Sequence, residues 1–206
     1  AVGTASSSAK LTVSEPKKPP FFDKKLEPVG AVLGESADFE CLVSGTQPIK
    51  ALWTKDNKEI KTGGNYKITH IGNTAHLRII KVGKGDSGIY SCLAANDVGK
   101  ESCSAELSVK EPPKFVKKLE PSRIVALAGS AHFDCKISGS PEIRVVWYKN
   151  DTELQPSEKL NLSFADNVAL LEINDFSPED GGDYTCEAHN DAGSASCSTS
   201  ITVKGA

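Results

Sequence analysis

Asp86-Ser87-Gly88-Ile89-Tyr90-Ser91-Cys92 returns further along the chain as Asp180-Gly181-Gly182-Asp183-Tyr184-Thr185-Cys186. In both copies a tyrosine stands two residues before a cysteine, behind an acidic residue and a glycine. The match continues outward from this stretch. Cys41, Trp53 and Cys103 recur as Cys135, Trp147 and Cys197, all at one shift of 94 residues. Lys24-Lys25-Leu26-Glu27-Pro28 returns as Lys117-Lys118-Leu119-Glu120-Pro121 at a shift of 93, so the second copy holds one inserted residue ahead of its first cysteine. Self-similarity at a fixed period marks a duplicated structural unit. A partial third copy opens the chain, where Val2-Gly3-Thr4 to Leu11-Thr12-Val13 matches Val98-Gly99-Lys100 to Leu107-Ser108-Val109. The repeat divides the chain into a terminal strand of a preceding domain (1–13), a linker (14–19), a domain (20–109), a short linker (110–111) and a second domain (112–206).

Within each unit the apolar residues alternate with period 2, the pattern of half-buried strands. Ala37, Phe39, Cys41 and Val43 share one parity, as do Ala75, Leu77 and Ile79, and Tyr90, Cys92 and Ala94. Gly, Pro, Asn and Asp interrupt these runs at short intervals, as at Gly45-Thr46-Gln47-Pro48 and Asn96-Asp97-Val98-Gly99. No segment holds a helical period for three turns. Many short alternating strands in about 95 residues predict an all-β antiparallel sandwich for each unit.

The order Cys41, Trp53, Tyr90, Cys92, repeated as Cys135, Trp147, Tyr184, Cys186, resembles the immunoglobulin superfamily. That resemblance implies a Greek-key sandwich with the first Cys on strand B, the Trp on strand C and the second Cys on strand F of the facing sheet. It assigns Tyr90 and Tyr184 to the tyrosine corner and the two tryptophans to the core. The domain starts Pro19-Pro20-Phe21-Phe22 and Pro112-Pro113-Lys114-Phe115 resemble, more finely, the intermediate-set (I-set) domains of giant sarcomeric muscle proteins. So do the turns Asn96-Asp97-Val98-Gly99 and Asn190-Asp191-Ala192-Gly193. The resemblance places Pro19, Pro20, Asn96 and Gly99, and Pro112, Pro113, Asn190 and Gly193, at the pole where each domain meets its linker. It implies a mechanical and scaffolding segment in the sarcomere, in the cytoplasm. Its partners would be neighbouring domains of the same chain and other sarcomeric proteins. In such domains the force-bearing element is a parallel contact, here about Val29–Leu33 with Ser104–Val109 and Ile124–Ala128 with Ser198–Val203. The rival is an extracellular adhesion or receptor module binding a protein ligand. It draws on two glycosylation sequons, at Asn150 and Asn161.

Composition narrows the alternatives. A net charge of −3 with interspersed signs gives no electrostatic case for nucleic acid or an anionic membrane. No apolar run reaches the length of a membrane-spanning helix, and Ala1–Ser8 has neither the basic start nor the apolar core of a secretory leader. No Cys-x-x-Cys pair suggests zinc, and no phosphate-loop, metalloprotease, nucleophile-elbow or calcium-loop signature occurs. The four histidines are scattered, with surface positions the expectation for His76 and His132. Asp86 and Asp180 fit turn caps better than catalytic acids. The sequence therefore predicts no enzyme and no cofactor.

The third cysteine of each unit opens a choice. A hairpin turning at Asn96–Gly99 puts Cys92 opposite Cys103, within bridging range. Cys92 is thus able to bond Cys41 across the sandwich or Cys103 beside it, and Cys186 has the same choice of Cys135 and Cys197. Three buried reduced thiols per domain are the expectation at rest, with exchange between the two bridges on stretching. The longer linker 14–19 predicts a looser hinge than 110–111, where proline and brevity predict a stiffer pair over 20–206.

Overall fold

The computed structural model describes residues 3–6 and 15–205. The first sandwich holds β1 (Phe21–Lys24), β2 (Val29–Val32), β3 (Ala37–Ser44), β4 (Lys50–Lys55), β5 (Lys58–Ile60), β6 (Tyr66–Ile71), β7 (Thr74–Ile79), β8 (Gly88–Asn96) and β9 (Gly99–Lys110). One sheet runs β1-β3-β7-β6 and the facing sheet β2-β9-β8-β4-β5. The second sandwich repeats this with β10 (Lys114–Lys117), β11 (Ser122–Ala126), β12 (Ala131–Ser138), β13 (Arg144–Lys149), β14 (Thr152–Glu153), β15 (Leu160–Ala165), β16 (Val168–Ile173), β17 (Gly182–Asn190) and β18 (Gly193–Lys204). Its sheets are β10-β12-β16-β15 and β11-β18-β17-β13-β14.

The period-2 parity is what closes each sandwich. Along β3 every second residue, Ala37, Phe39, Cys41 and Val43, is buried, and β7 buries Ala75, Leu77 and Ile79 completely. Trp53 and Trp147 fill the centres, each opposite its second cysteine: Trp53 pairs with Cys92 and Trp147 with Cys186. Phe39 stacks on Tyr90 with ring centroids 5.1 Å apart. Aromatic groups of this size carry much of the burial that holds a small sandwich together.

The glycine of the repeated motif has a steric reason. Gly88 and Gly182 both sit at φ +149°, and a Cβ at Gly88 would lie 2.6 Å from the Asp56 carboxylate. That space is taken because the side chain of the β4–β5 turn caps the start of β8, with Ile89 N–H donating to Asp56 Oδ1 at 2.9 Å. The second domain does the same with Asn150, which accepts from Asp183 N–H at 3.0 Å. Asp56-Asn57 and Asn150-Asp151 all have positive φ, as a two-residue primed hairpin turn requires.

Two expectations shift in detail, and a third falls mostly outside the described residues. Lys110, read as linker, is the last residue of β9, so the strand-free connection is Glu111–Pro113. The parallel contact of the second domain runs from Ser122↔Ser200 to Ala126↔Lys204, two residues earlier on its first strand than expected. Ser122, where the contact starts, is the residue with no counterpart between Pro28 and Val29. Of the segment 1–13, Gly3–Ser6 are exposed and in no strand, and the rest of that reading lies outside the described residues.

Candidate functional site

Three features of each domain bear on function: the strand pair at its ends, the pole beside its linker, and the buried thiols. In the second domain β11 lies near the start and β18 closes the domain, and the two run parallel. Ser200 N–H donates to the Pro121 carbonyl at 3.0 Å at one end of this contact, and Leu127 N–H to the Lys204 carbonyl at 2.9 Å at the other. The first domain pairs β2 with β9, and Leu33 N–H donates to the Lys110 carbonyl at 2.8 Å. Strands that enter and leave a domain side by side and in one direction receive an end-to-end pull as shear. Their hydrogen bonds lie across that pull, so they share it rather than breaking in turn.

The pole residues converge on one main-chain group. Asn96 Nδ2 donates to the Lys18 carbonyl at 2.7 Å and the Thr46 carbonyl at 3.0 Å, while its Oδ1 accepts from Val98 and Gly99 N–H. Lys18 and Thr46 also bond each other, through Lys18 N–H to Thr46 Oγ1 at 2.8 Å and Thr46 N–H to the Lys18 carbonyl at 3.1 Å. The second pole is a copy. Asn190 Nδ2 donates to the Glu111 and Ser140 carbonyls at 2.7 and 3.0 Å, and Glu111 and Ser140 exchange two further bonds. Gly99 and Gly193 are the closing glycines of these turns because Pro19 and Pro112 press on them. A Cβ would meet the proline ring at 2.7 Å and 3.3 Å respectively. Gly45 and Gly139, both with positive φ, pack in the same way under Pro19–Pro20 and Pro112–Pro113. Sequence reading missed Thr46 and Ser140, although both follow those glycines at the common shift.

All six cysteines are thiols, and all but Cys197 are buried. Cys135 Sγ lies 3.7 Å from Cys186 Sγ across the second sandwich, and Cys186 faces Cys197 on the neighbouring strand. The hydrogen bond to Cys186, together with burial, pushes the Cys135 thiol up to about 12. Cys41 is raised too, first by its bond to Cys92 and then by burial, and Cys103 is raised chiefly by burial. Cys197 is raised by its bond to Cys135 and by burial. Raised thiols are poor nucleophiles at neutral pH, so Cys41, Cys103, Cys135 and Cys197 are chemically quiet in the folded domains.

Tyr184 Oη donates to the Asp180 carbonyl at 2.7 Å, tying β17 to the turn ahead of it, and Tyr90 is fully buried at the matching place. Asp86 and Asp180 cap their own turns, accepting from Gly83 and Ser177 N–H at 2.7 Å each. Burial works to raise Asp180, but the Lys159 ammonium at 2.5 Å and the Ser177 donors prevail and hold it below the usual carboxylate range. His70 and His132 are exposed, whereas His76 and His189 are half-buried and paired with Asp38 and Glu187. Among the described residues no three His, Cys, Asp or Glu side chains gather as a metal set, and no helix is long and apolar enough to cross a membrane.

A profile of the immunoglobulin I-set domain matches residues 20–109 and 113–203. The chain belongs to the immunoglobulin I-set family. The I-set pair is 59% identical to an I-band fragment of titin, over 91% of this chain and 66% of that one, with a TM-score of 0.83. A mutated variant of a three-domain titin structure matches at 58% identity over the same shares, with a TM-score of 0.84. Titin of Drosophila melanogaster is 34% identical over 92% of this chain and 1% of its own length. Smooth-muscle myosin light chain kinase of Gallus gallus is 32% identical over 96% of this chain and 12% of its own length. The chain thus spans 12% or less of these two curated relatives. Its all-β I-set architecture is that of structural and adhesion proteins, not of an enzyme.

Proposed function

We propose that this I-set pair is a load-bearing segment of a titin-like sarcomeric protein, in the cytoplasm, working as spring and scaffold. The observation that carries this is the parallel β11–β18 contact, which sets a ladder of hydrogen bonds across the line of an end-to-end pull. The identity of 58–59% to titin domains favours the sarcomere over the adhesion reading. Unfolding one domain under load would release about 300 Å of chain, at ~3.4 Å per residue.

The linkers bear on compliance at low force. Glu111 follows the last residue of β9 directly and is itself clamped to Ser140 and Asn190. The first linker is held at its end, by Lys18 in the clamp and by the exposed Lys17–Asp97 pair at 3.1 Å, with Glu15 and Pro16 lying ahead of both. This supports a stiffer second joint and a looser hinge within 14–19. The partners in this reading are neighbouring domains of the parent chain and other sarcomeric proteins.

The test is to pull the second domain in two geometries. Handles at its two ends load β11–β18 in shear, and handles on Gly182 and Ile201, which face each other at the open end of the β17–β18 hairpin, peel that hairpin apart. A clearly higher rupture force in shear is expected. Equal forces in the two geometries would overturn the load-bearing role of that contact.

A further inference from the structure

The two domains differ most tellingly at one corner. In the second, Lys117, Lys118, Arg123, Phe133 and Thr199 line a cavity of about 70 Å³ at the open edge between the sheets. That is several times the space one water molecule needs. Thr199 is 2% exposed, shares the inward parity of Ile201 on β18, and its Oγ1 has no hydrogen-bond partner. The Arg123 guanidinium lies over the Phe133 ring at 4.8 Å and donates from Nη1 to the His132 carbonyl at 2.5 Å. One bond uses little of its donor fork, and the ring beneath fixes its plane. Among the described residues neither Arg123 nor Lys118 has an acidic partner. The Asp134 carboxylate on the rim is engaged by Lys117 at 2.9 Å, which leaves Glu120 as the remaining acid beside the cavity.

The first domain shows that the fold does not require these groups. At the matching positions stand Val29 for Arg123, Asp38 for His132 and Ala105 for Thr199. There two lysines face three acids, whereas in the second domain three cations face two acids. The second copy has therefore gained a buried hydroxyl and a guanidinium around a space that holds a group of several atoms. A buried hydroxyl left unpaired costs stability unless something accepts or donates there. The fork of an arginine suits the oxygens of a phosphate.

We propose that this corner of the second domain is a small oxyanion site, holding a phosphate group between the Thr199 hydroxyl and the Arg123 guanidinium, with Lys118 at the rim. The group would be free inorganic phosphate or the phosphoryl group of a modified side chain. This goes beyond the load-bearing role and does not depend on it. The intact chain is titrated with inorganic phosphate, and separately with O-phosphoserine, at constant ionic strength against chloride. Amide and Arg Nε resonances are followed by NMR. Saturable shifts at Thr199 and Arg123, with the first-domain corner at Ala105 and Asp38 unmoved, are expected. Saturation by phosphate identifies a free-ion site, and saturation by phosphoserine alone identifies a modified side chain as the source. Thr199→Ala places there the residue type that the first domain carries at Ala105, and it should weaken binding about tenfold, as should Arg123→Gln, with the undisturbed amide spectrum of β16 checking that each variant is folded. Linear shifts of both domains alike, or saturation unaffected by Thr199→Ala, would overturn the proposal.

Discussion

Oxidation of the second domain gives a length that a force experiment reads directly. Cys135 and Cys186 are 3.7 Å apart at sulfur, and a bridge needs about 2 Å, so closing it asks for a movement of under ~2 Å. The two residues are 51 apart in sequence. Residues 113–203 extend to roughly 310 Å at ~3.4 Å each, and the bridge would hide roughly 170 Å of that. The unfolding step of this domain should therefore fall to roughly 140 Å. The alternative bridge, Cys186 to the facing Cys197, would hide only about 35 Å and leave a step near 270 Å. Loop-closure entropy favours the longer bridge as a stabiliser, roughly 4 against 3 kcal/mol. The assay is single-molecule extension of chains refolded in diamide or in excess reductant, because the buried thiols are hard for an oxidant to reach while folded. Each bridge removes two electrons and two protons, which diamide accepts. A step near 140 Å that lengthens to about 270 Å after holding the chain unfolded would show exchange between the bridges. Equal steps in oxidant and reductant would refute the reasoning from sulfur distance, and a first step near 270 Å would show that the neighbouring strand captures Cys186 first.

Further outcomes follow from single contacts. Tyr184→Phe removes the bond to the Asp180 carbonyl and should lower the urea midpoint by an amount equal to about 1 kcal/mol. Asn190→Ala deletes two donors and an acceptor at the second pole, so the Gly193 and Ala192 amides should exchange hydrogen far faster while those of β16 do not. Cys135 and Tyr184 are both raised to about 12, by the Cys186 bond and burial for the thiol and by burial and the Asp180 charge for the phenol. The unfolded chain then ionises first, so stability should fall as pH climbs from about 9 towards 12, and Tyr184→Phe should reduce that slope. Asp180 is shifted the other way, so its contribution is present above its ordinary value near 3.8 and is lost as pH falls through its lower folded value. Asp180→Asn should flatten the acid limb in urea melts between pH 2 and 5.

The parts legible in the sequence are those in which a side chain itself fills space. Trp53, Cys41 and Tyr90 recur because the core has one shape, and the burial of alternate residues in β3 writes itself as period 2. The pole clamp was only half legible for the opposite reason. Asn96 and Asn190 are fixed, but what they hold is a main-chain carbonyl, which belongs to Lys18 in one domain and to Glu111 in the other. Residues of opposite charge serve equally there, so no pattern of side chains marks the position. The second shear contact starts at Ser122, a residue the first copy lacks between Pro28 and Val29, so the first copy could not mark that start. That same stretch carries Arg123, with Thr199 facing the cavity from β18 and Ala105 in its place in the first domain. Agreement between the copies therefore reports what every such sandwich needs in order to fold. What one domain does beyond folding has to be sought where the copies part, and at this corner they part in charge, in hydrogen-bonding capacity and in chain length together.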